Sequence, residues 1–351
     1  MKRPCFLAYA LLLLLAILLT ACSDAYTPPS DDGGPIASPT PGLPVTSAQE
    51  ARGAFQEYSL PQNNSGLMRP AIDSRGRVWF GEMNRNYLAS FDPKSGKFWQ
   101  ETPPNGKSGI MGIIVAPDDT IWFAEQYADY IGHYFPATDQ YRVFQLSPVS
   151  VPDPSDPNKT QSLPRAPNDL VLDQKGYLWF SEINANEIGR LNTTDGTIRR
   201  YPLPLPPGTP KGQQALNPYG ITVDPQGIIW FSTASAQVLG RLNPQNGQTS
   251  YFIPANISSA LMEVASDSQG QIWATTFTSG LLLRFNPGDK HFTIYRAPSI
   301  DGNNGGGLYS LAVAANGDIW VVVTAAGLLA RLDIKTQQFF YYIIPTRGSL
   351  P

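Results

Sequence analysis

The chain has 351 residues, a formal net charge of −3 and only 15% charged residues. It contains no run of Lys or Arg, which argues against a nucleic-acid-binding protein. Both cysteines, Cys5 and Cys22, lie in the first 22 residues, so disulfides and thiol chemistry are excluded from the rest of the chain.

The N-terminus has the features of an export signal. Lys2 and Arg3 precede a nearly continuous apolar run from residue 6 to residue 19. The run ends in Leu19-Thr20-Ala21-Cys22, which resembles a bacterial lipobox. We therefore expect a signal peptide over residues 1–21 and a lipid on Cys22 that anchors the protein in the bacterial cell envelope, facing outside the cytoplasm. The alternative is an ordinary signal peptide followed by a chance cysteine.

Residues 22–52 have the composition of a linker. They are rich in Pro, Gly, Ser, Thr and Asp and offer too little apolar surface to form a core. The sequence therefore predicts a lipidated, flexible tether over residues 22–52 and one folded domain over residues 53–351.

One unit recurs six times in this domain: a turn ending in Gly, an apolar residue and then Trp. In one copy, Asp118-Asp119 takes the place of the glycine turn. A period of 43 to 57 residues with one Trp per unit is typical of a β-propeller, in which each repeat forms one blade. The tryptophans are Trp79, Trp122, Trp179, Trp230, Trp273 and Trp320.

The repeat predicts an all-β fold of four-stranded antiparallel blades. Six units are complete, but seven segments have the pattern of an outer strand that ends in Pro. We expect six blades, with residues 55–61 added as a strand where the ring closes; seven blades, one of them degenerate, is the alternative.

Antiparallel strands place the start of each inner strand and the end of each Trp strand on one face, the mouth of the central channel. The inner strands begin eleven residues before each Trp, where three of the five methionines of the chain occur. We expect a ligand to bind here, on adaptable apolar side chains and a few polar ones; ligation of a soft metal by the methionines is an alternative. The predicted ligand-binding residues are Met68, Arg69, Met111, Asn168, Asp169, Tyr219, Met262, Glu263 and Tyr309.

Three residues after Trp, the first three blades carry Glu82, Glu125 and Glu182. Clustered carboxylates repel unless they are paired or share a cation, so these three could hold Mg²⁺ or Ca²⁺. The alternative is a structural role, with each carboxylate accepting hydrogen bonds from the next blade and Arg69 pairing with Glu82. Neither His133 nor His291 lies at a mouth position, so no histidine base is predicted.

The repeats resemble the virginiamycin B (streptogramin B) lyase family. The similar segments are Leu178-Trp179-Phe180-Ser181-Glu182, Ile188-Gly189-Arg190-Leu191 and the Tyr201-Pro202-Leu203-Pro204 ending. The resemblance spans about residues 55–345 and implies a propeller, seven-bladed in the family, and a Mg²⁺-dependent elimination that opens a cyclic depsipeptide. It also implies a histidine base at the start of a late inner strand, where this chain has Tyr219, Met262 and Tyr309.

Three functions follow as hypotheses. The first is a monomeric lipoprotein whose propeller mouth binds a peptide, a glycan or a small cyclic compound. The second is an enzyme, a carbon–oxygen lyase or lactone hydrolase that uses a divalent cation. The third is a scaffold that binds a partner protein through the long connections, such as residues 147–165.

Overall fold

The computed structural model describes residues 48–51, 53, 55–153, 155–209, 213, 215–298 and 307–346. The predicted signal peptide, Cys22 and most of the predicted tether lie outside these residues, so the lipid anchor remains a prediction. Within the described ranges no helix is long and apolar enough to cross a membrane.

The described chain is built from short strands and one 3₁₀ turn, Thr324–Ala326. In chain order the strands are β1 (Ala48–Glu50), β2 (Leu67–Ile72), β3 (Val78–Glu82), β4 (Tyr87–Asp92), β5 (Lys97–Glu101), β6 (Ile110–Val115), β7 (Ile121–Glu125), β8 (Tyr130–Phe135), β9 (Gln140–Gln145), β10 (Val149–Asp153), β11 (Asp156–Leu163), β12 (Pro167–Leu172), β13 (Tyr177–Glu182), β14 (Glu187–Asn192), β15 (Ile198–Pro202), β16 (Pro218–Val223), β17 (Ile229–Thr233), β18 (Leu239–Leu242), β19 (Thr249–Phe252), β20 (Leu261–Ser266), β21 (Ile272–Thr276), β22 (Leu281–Asn286), β23 (His291–Arg296), β24 (Leu308–Val313), β25 (Ile319–Val323), β26 (Leu328–Asp333) and β27 (Gln338–Ile343).

Six antiparallel blades form the propeller, as the repeat predicted. Blade 1 is β2–β5, blade 2 is β6–β9, blade 3 is β12–β15, blade 4 is β16–β19, blade 5 is β20–β23 and blade 6 is β24–β27. In every blade the first strand lies on the channel, and successive inner strands pack side by side from blade 1 to blade 6. The all-β prediction and the six-blade prediction are confirmed.

In blades 1, 3, 4 and 5 the turn before Trp owes its shape to an aspartate, whereas Ala116 and Ala314 occupy that position in blades 2 and 6. In blade 3, Asp173 accepts hydrogen bonds at Oδ1 from the backbone N–H groups of Lys175 and Tyr177, at 2.8 and 2.9 Å. Its Oδ2 accepts the indole N–H of Trp179 at 2.8 Å, while Gly176 takes the positive φ of 80° that closes the turn. The Asp-x-x-Gly-x-x-Trp unit is therefore a self-contained hydrogen-bonded motif that fixes the turn and the Trp side chain together.

In blades 1 to 5 the Trp side chain packs against the next blade. Trp179, for example, contacts a cluster that includes Ile221 and Phe231 of blade 4. The tryptophans of blades 1 to 5 are 0–2% exposed, so this packing is the main apolar contact between blades.

The contact between blade 6 and blade 1 is different, and we call it the seam. Their inner strands β24 and β2 do not pack together as the other neighbouring pairs do. Trp320 of blade 6 is only partly buried, and Leu67 and Ile72 of β2 are 54% and 68% exposed. The ring is therefore least tightly packed where its first and last blades meet.

The predicted closing strand at residues 55–61 is wrong. Those residues form no strand, and β1 instead pairs in parallel with β27, with Ala48 opposite Phe339. The last residues of the predicted tether thus belong to blade 6. The chain then crosses the seam, where the tilted rings of Tyr58 and Phe91 contact each other with centres 4.4 Å apart and Leu60 packs on the same face of blade 1.

The long connection between blades 2 and 3 folds into a hairpin, β10–β11. Its base is closed by Arg165, whose Nε donates to the carbonyl oxygen of Ser147 at 2.6 Å. The connection is therefore an ordered projection on the mouth face. Most of the connection before blade 6 lies outside the described residues.

Candidate functional site at the propeller mouth

A β-bulge near the start of every inner strand shapes the channel. The register between the first two strands shifts just after the residue that lies twelve positions before Trp, for example between Leu261 and Val264 in blade 5. The shift recurs in all six blades, but in blade 1 it begins one residue later, between Met68 and Ala71. A bulge re-aims side chains, and here it affects the two positions, eleven and ten residues before Trp, at which the sequence predicted a site.

The position ten residues before Trp alternates around the ring. Blades 1, 3 and 5 carry Arg69, Asp169 and Glu263, whereas the blades between them carry Gly112, Gly220 and Ser310. A Cβ atom on Gly112 would lie 2.5 Å from the carbonyl oxygen of Asn168, and one on Gly220 would lie 2.6 Å from that of Met262. Small residues are therefore required between the three charged ones.

The three charged side chains meet inside the channel. Arg69 Nε donates to Glu263 Oε2 at 2.9 Å and lies 3.6 Å from Asp169 Oδ1. Asp169 Oδ2 also accepts the backbone N–H of Ile221 at 2.9 Å. The three side chains are only 9–12% exposed. They form a charged plug in the channel rather than an open ring of ligand-binding groups.

Two tyrosines lie beside this plug. The hydroxyl groups of Tyr219 and Tyr309 share a hydrogen bond although the residues belong to blades 4 and 6. The Arg69 guanidinium carbon lies 5.4 Å from the centre of the Tyr219 ring, a cation–π distance. The predicted group Arg69, Asp169, Tyr219, Glu263 and Tyr309 is therefore brought together by the fold.

Burial controls the charge of this group. Burial raises the pKa of Glu263 to about 7; Arg69 opposes this shift and Asp169 adds to it. Burial acts to lower the pKa of Arg69, but the carboxylates of Asp169 and Glu263 raise it well above its ordinary value, so Arg69 remains a cation. Burial thus makes Glu263 easier to protonate than an ordinary glutamate.

The other predicted residues support the walls. Asn168 is fully buried; it accepts a hydrogen bond from Gln126 at 3.1 Å and donates one to the carbonyl oxygen of Tyr219 at 3.0 Å. Met111 and Met262 are buried, and Met68 is partly buried. Asn168 therefore links blades 2 and 4, with one hydrogen bond at its amide oxygen and one at its amide nitrogen.

The three glutamates predicted as metal ligands are held separately. Glu82 accepts a hydrogen bond from Gln100, and Glu125 accepts one from Asn105 at 3.2 Å. Arg69 does not pair with Glu82, because it lies against Asp169 and Glu263 on other blades. The expected Arg69–Glu82 pair is therefore wrong.

Glu182 is the third of these glutamates, and it is paired with cations. Arg165 Nη1 and Arg200 Nε each lie 3.4 Å from its Oε2 atom. Among the described residues no group of three or more His, Cys, Asp or Glu side chains lies close enough to hold a metal ion. The geometry favours the structural alternative for Glu82, Glu125 and Glu182, although their partners are side chains rather than the predicted groups of the next blade.

A set of hydroxyl groups that sequence reasoning missed joins blades 3 to 6. Ser181 Oγ accepts the backbone N–H of Asp169 at 3.2 Å and donates to the carbonyl oxygen of Tyr219 in the next blade at 2.6 Å. Ser232 does the same between Gly220 and Met262. Thr275 repeats it between Glu263 and Tyr309, at 3.0 and 3.1 Å. The signal was a hydroxyl two residues after Trp in an otherwise apolar strand.

The rim of the mouth is apolar on one side. Ile183, Ala234 and Phe277, each four residues after a Trp, pack with Tyr309 against the buried Tyr219 and Met262. The Phe277 and Tyr309 rings meet edge to face at 6.3 Å. Blades 3 to 6 thus surround the plug with a partly exposed apolar wall.

The fold is similar to known enzymes and binding proteins. Virginiamycin B lyase from Staphylococcus aureus matches with a TM-score of 0.71 and 22% identity over 84% of this chain and 90% of that one. A catalytically inactive variant of that enzyme was determined with quinupristin and matches equally well. The resemblance to the virginiamycin B lyase family is confirmed for the fold.

Other similar structures have different roles. Regucalcin from Agrobacterium tumefaciens, described as a calcium-binding protein, matches with a TM-score of 0.51 and 16% identity over 79% of this chain and 87% of that one. The extracellular domain of a one-component system from B. thetaiotaomicron matches with a TM-score of 0.57 and 20% identity over 81% of this chain and 37% of that one. No protein-family model and no curated protein matches the chain. At these identities the likeness shows the propeller fold alone.

Proposed function

We propose that the protein is a binding propeller, anchored outside the cytoplasm through Cys22, whose mouth holds a compact ligand with apolar surface, such as a peptide or a small cyclic compound. The observation that carries this proposal is the closed channel with an apolar wall above it. A ligand would rest on the plug and contact Phe277 and Tyr309. A mainly apolar wall with a few polar groups beside it has the composition typical of small-molecule sites.

The plug supplies the polar part of such a site. Tyr309 is partly exposed, and its hydroxyl group already shares a hydrogen bond with Tyr219. Tyrosine offers a large contact surface at low cost in side-chain entropy and a hydroxyl group for recognition. We expect Tyr309 to contribute more to ligand affinity than the buried Tyr219.

One observation favours a second candidate, an eliminating or hydrolysing enzyme. Burial gives Glu263 a pKa of about 7, which suits a general base near neutral pH better than an ordinary exposed carboxylate does. Glu263 occupies a late inner strand, as a base of the resembled lyase family does. In this candidate Glu263 removes the proton, and the glutamates of blades 1 to 3 play no part in the chemistry.

Quinupristin separates the two candidates. Calorimetry with the chain from residue 23 measures binding, and mass spectrometry of the same mixture detects opening of the ring. Saturable binding without a product, weakened in Tyr309→Ala, supports the binding propeller. Product formation that Glu263→Gln abolishes, with binding retained, supports the enzyme. If quinupristin neither binds nor is converted to a product, a site for cyclic peptides of this kind is contradicted.

The metal and the anchor have separate tests. Thermal unfolding with EDTA and then with Mg²⁺ or Ca²⁺ should give the same midpoint if the glutamates are structural, because a ligand that binds only the native state raises its stability. A rise in the unfolding midpoint that saturates with metal and is absent in Glu125→Gln would support the predicted cation site instead. For the anchor, Cys22→Ser should move the protein from the membrane fraction to the soluble fraction.

A further inference from the structure

A cavity of about 580 Å³ lies on the face opposite the mouth. It is lined by the first turns of blades 3, 4 and 5 and by the later turn of blade 4 that contains Pro244 and Gln245. The volume falls in the range of pockets that hold small molecules, about 300–1,000 Å³. This cavity is separate from the plug and from every residue of the proposed mouth site.

The acidic side chains of the cavity are already occupied. Asp224 accepts two backbone N–H groups at 2.9 Å and the indole N–H of Trp230 at 2.8 Å. Asp173 and Asp267 repeat this pattern in blades 3 and 5. These three carboxylates maintain the turns, so they are not free to hold a cation.

Three glutamines in the wall are free to bind a ligand. Gln174, Gln226 and Gln245 are exposed in the cavity wall, and no side-chain hydrogen bond to another described residue occupies their amide groups. Lys175 is exposed beside them. Side-chain amides both donate and accept hydrogen bonds, so this wall can contact several hydroxyl groups at once.

Arg190 completes the wall. Its guanidinium carbon lies 4.3 Å from the centre of the Tyr177 ring and 5.5 Å from that of Trp179. In blade 6 the equivalent Arg331 pairs with Asp318 at 3.0 Å, whereas Arg190 forms no ion pair with any residue that the structure describes. The aromatic rings therefore hold the guanidinium group in place, and no carboxylate pairs with it.

Formal charge argues against an ionic ligand. Lys175 and Arg190 contribute +2 and the three aspartates −3, so the lining sums to −1. A wall of amides, one guanidinium and one ammonium group with nearly balanced charge is suited to a neutral ligand rich in hydroxyl groups. We propose that this cavity is a binding site for a neutral saccharide of about two sugar units, distinct from the mouth site.

Three disaccharides serve as probes: maltose, cellobiose and N,N′-diacetylchitobiose, each titrated by calorimetry into the chain from residue 23. We expect at least one to bind saturably at millimolar concentration. Arg190→Ala and Gln245→Ala should each weaken that binding about fivefold, the effect of losing one net hydrogen bond.

Two controls make the result specific. Arg241→Ala removes the equivalent arginine of blade 4, which covers Trp230 at 6.0 Å but does not line the cavity, and should leave binding unchanged. Tyr309→Ala at the mouth should also leave it unchanged. Gln245 lies on an exposed turn, so its replacement tests the site even if Arg190→Ala impairs folding. The proposal is overturned if no probe binds, or if Arg241→Ala or Tyr309→Ala weakens binding as much as the cavity variants do.

Discussion

Arg69 of blade 1 donates a hydrogen bond to Glu263 of blade 5 at 2.9 Å, across the central channel and past blade 6. The two residues are 194 positions apart in the chain. Since blade 5 neighbours blade 6, this ion pair bridges the poorly packed seam between blades 6 and 1 from inside the channel. The plug therefore has a structural role in closing the propeller as well as forming the floor of the mouth.

Replacement of Arg69 by Met should destabilise the protein strongly. The change leaves Asp169 and Glu263 buried without their cation, and breaking a buried pair in this way costs about 3–5 kcal/mol. Urea unfolding at pH 8 measures the difference. Lys159→Met is the control, because Lys159 is 72% exposed and its solvent-screened pair with Asp156 should contribute little to stability. An Arg69→Met effect as small as that of the control would contradict the closing role.

Replacement of Ser232 by Ala should weaken the contact between blades 4 and 5. The hydroxyl group joins the N–H of Gly220 to the carbonyl oxygen of Met262, and its loss leaves two buried backbone groups unpaired. We expect a loss of about 2–4 kcal/mol in the free energy of unfolding. Ser250→Ala, at an exposed position of the same blade, should change little. Urea unfolding of both variants measures the difference. Equal unfolding midpoints would show that the Ser232 hydroxyl group is not needed to join the two blades.

Because the seam is loosely packed, replacing the equivalent residues Trp230 and Trp320 by Ala should lower the free energy of unfolding by different amounts. Trp230 is 1% exposed between blades 4 and 5, so Trp230→Ala should cost about 3–5 kcal/mol. Trp320 at the seam is only partly buried and rests on Tyr342 at 5.5 Å, so Trp320→Ala should cost clearly less. Chemical unfolding of both variants gives the comparison. A larger loss for Trp320 would mean that the seam is packed as tightly as the other interfaces.

Glu125 should make stability depend on pH. Burial raises the pKa of Glu125 to about 7 from an ordinary value of 4.5, and its bond from Asn105 opposes the shift only in part. The contribution of protonated Glu125 to the free energy of unfolding is therefore complete below pH 4.5, and it is lost as pH rises through 7 and the buried carboxyl group ionises. Glu125→Gln should raise the free energy of unfolding at pH 8 by about 3 kcal/mol and change it little at pH 4.5.

The control for this pH effect is Glu50→Gln, which alters an exposed carboxylate on β1. It should shift stability equally little at both pH values. If Glu125→Gln destabilises the protein at pH 8, then the ionised carboxylate has a partner, such as a bound cation, that the described residues do not supply.

The sequence by itself determined the repeat, and with it the fold. In blades 1, 3, 4 and 5 the Asp-x-x-Gly-x-x-Trp unit closes its own turn through hydrogen bonds within seven residues, as Asp173, Gly176 and Trp179 do, so local pattern sufficed to predict those blades. It also placed Arg69, Tyr219, Glu263 and Tyr309 at the mouth, because strand direction follows from the turns.

Only the tertiary structure decided which side chains meet. Arg69 was expected beside Glu82 in its own blade, but the bulge and the small residues Gly112 and Gly220 direct it to Asp169 and Glu263. The closure by β1 and the open seam likewise depend on how six blades fit around one axis. Contacts across the ring join residues that are far apart in the chain, so a pattern of neighbouring residues cannot predict which of them meet.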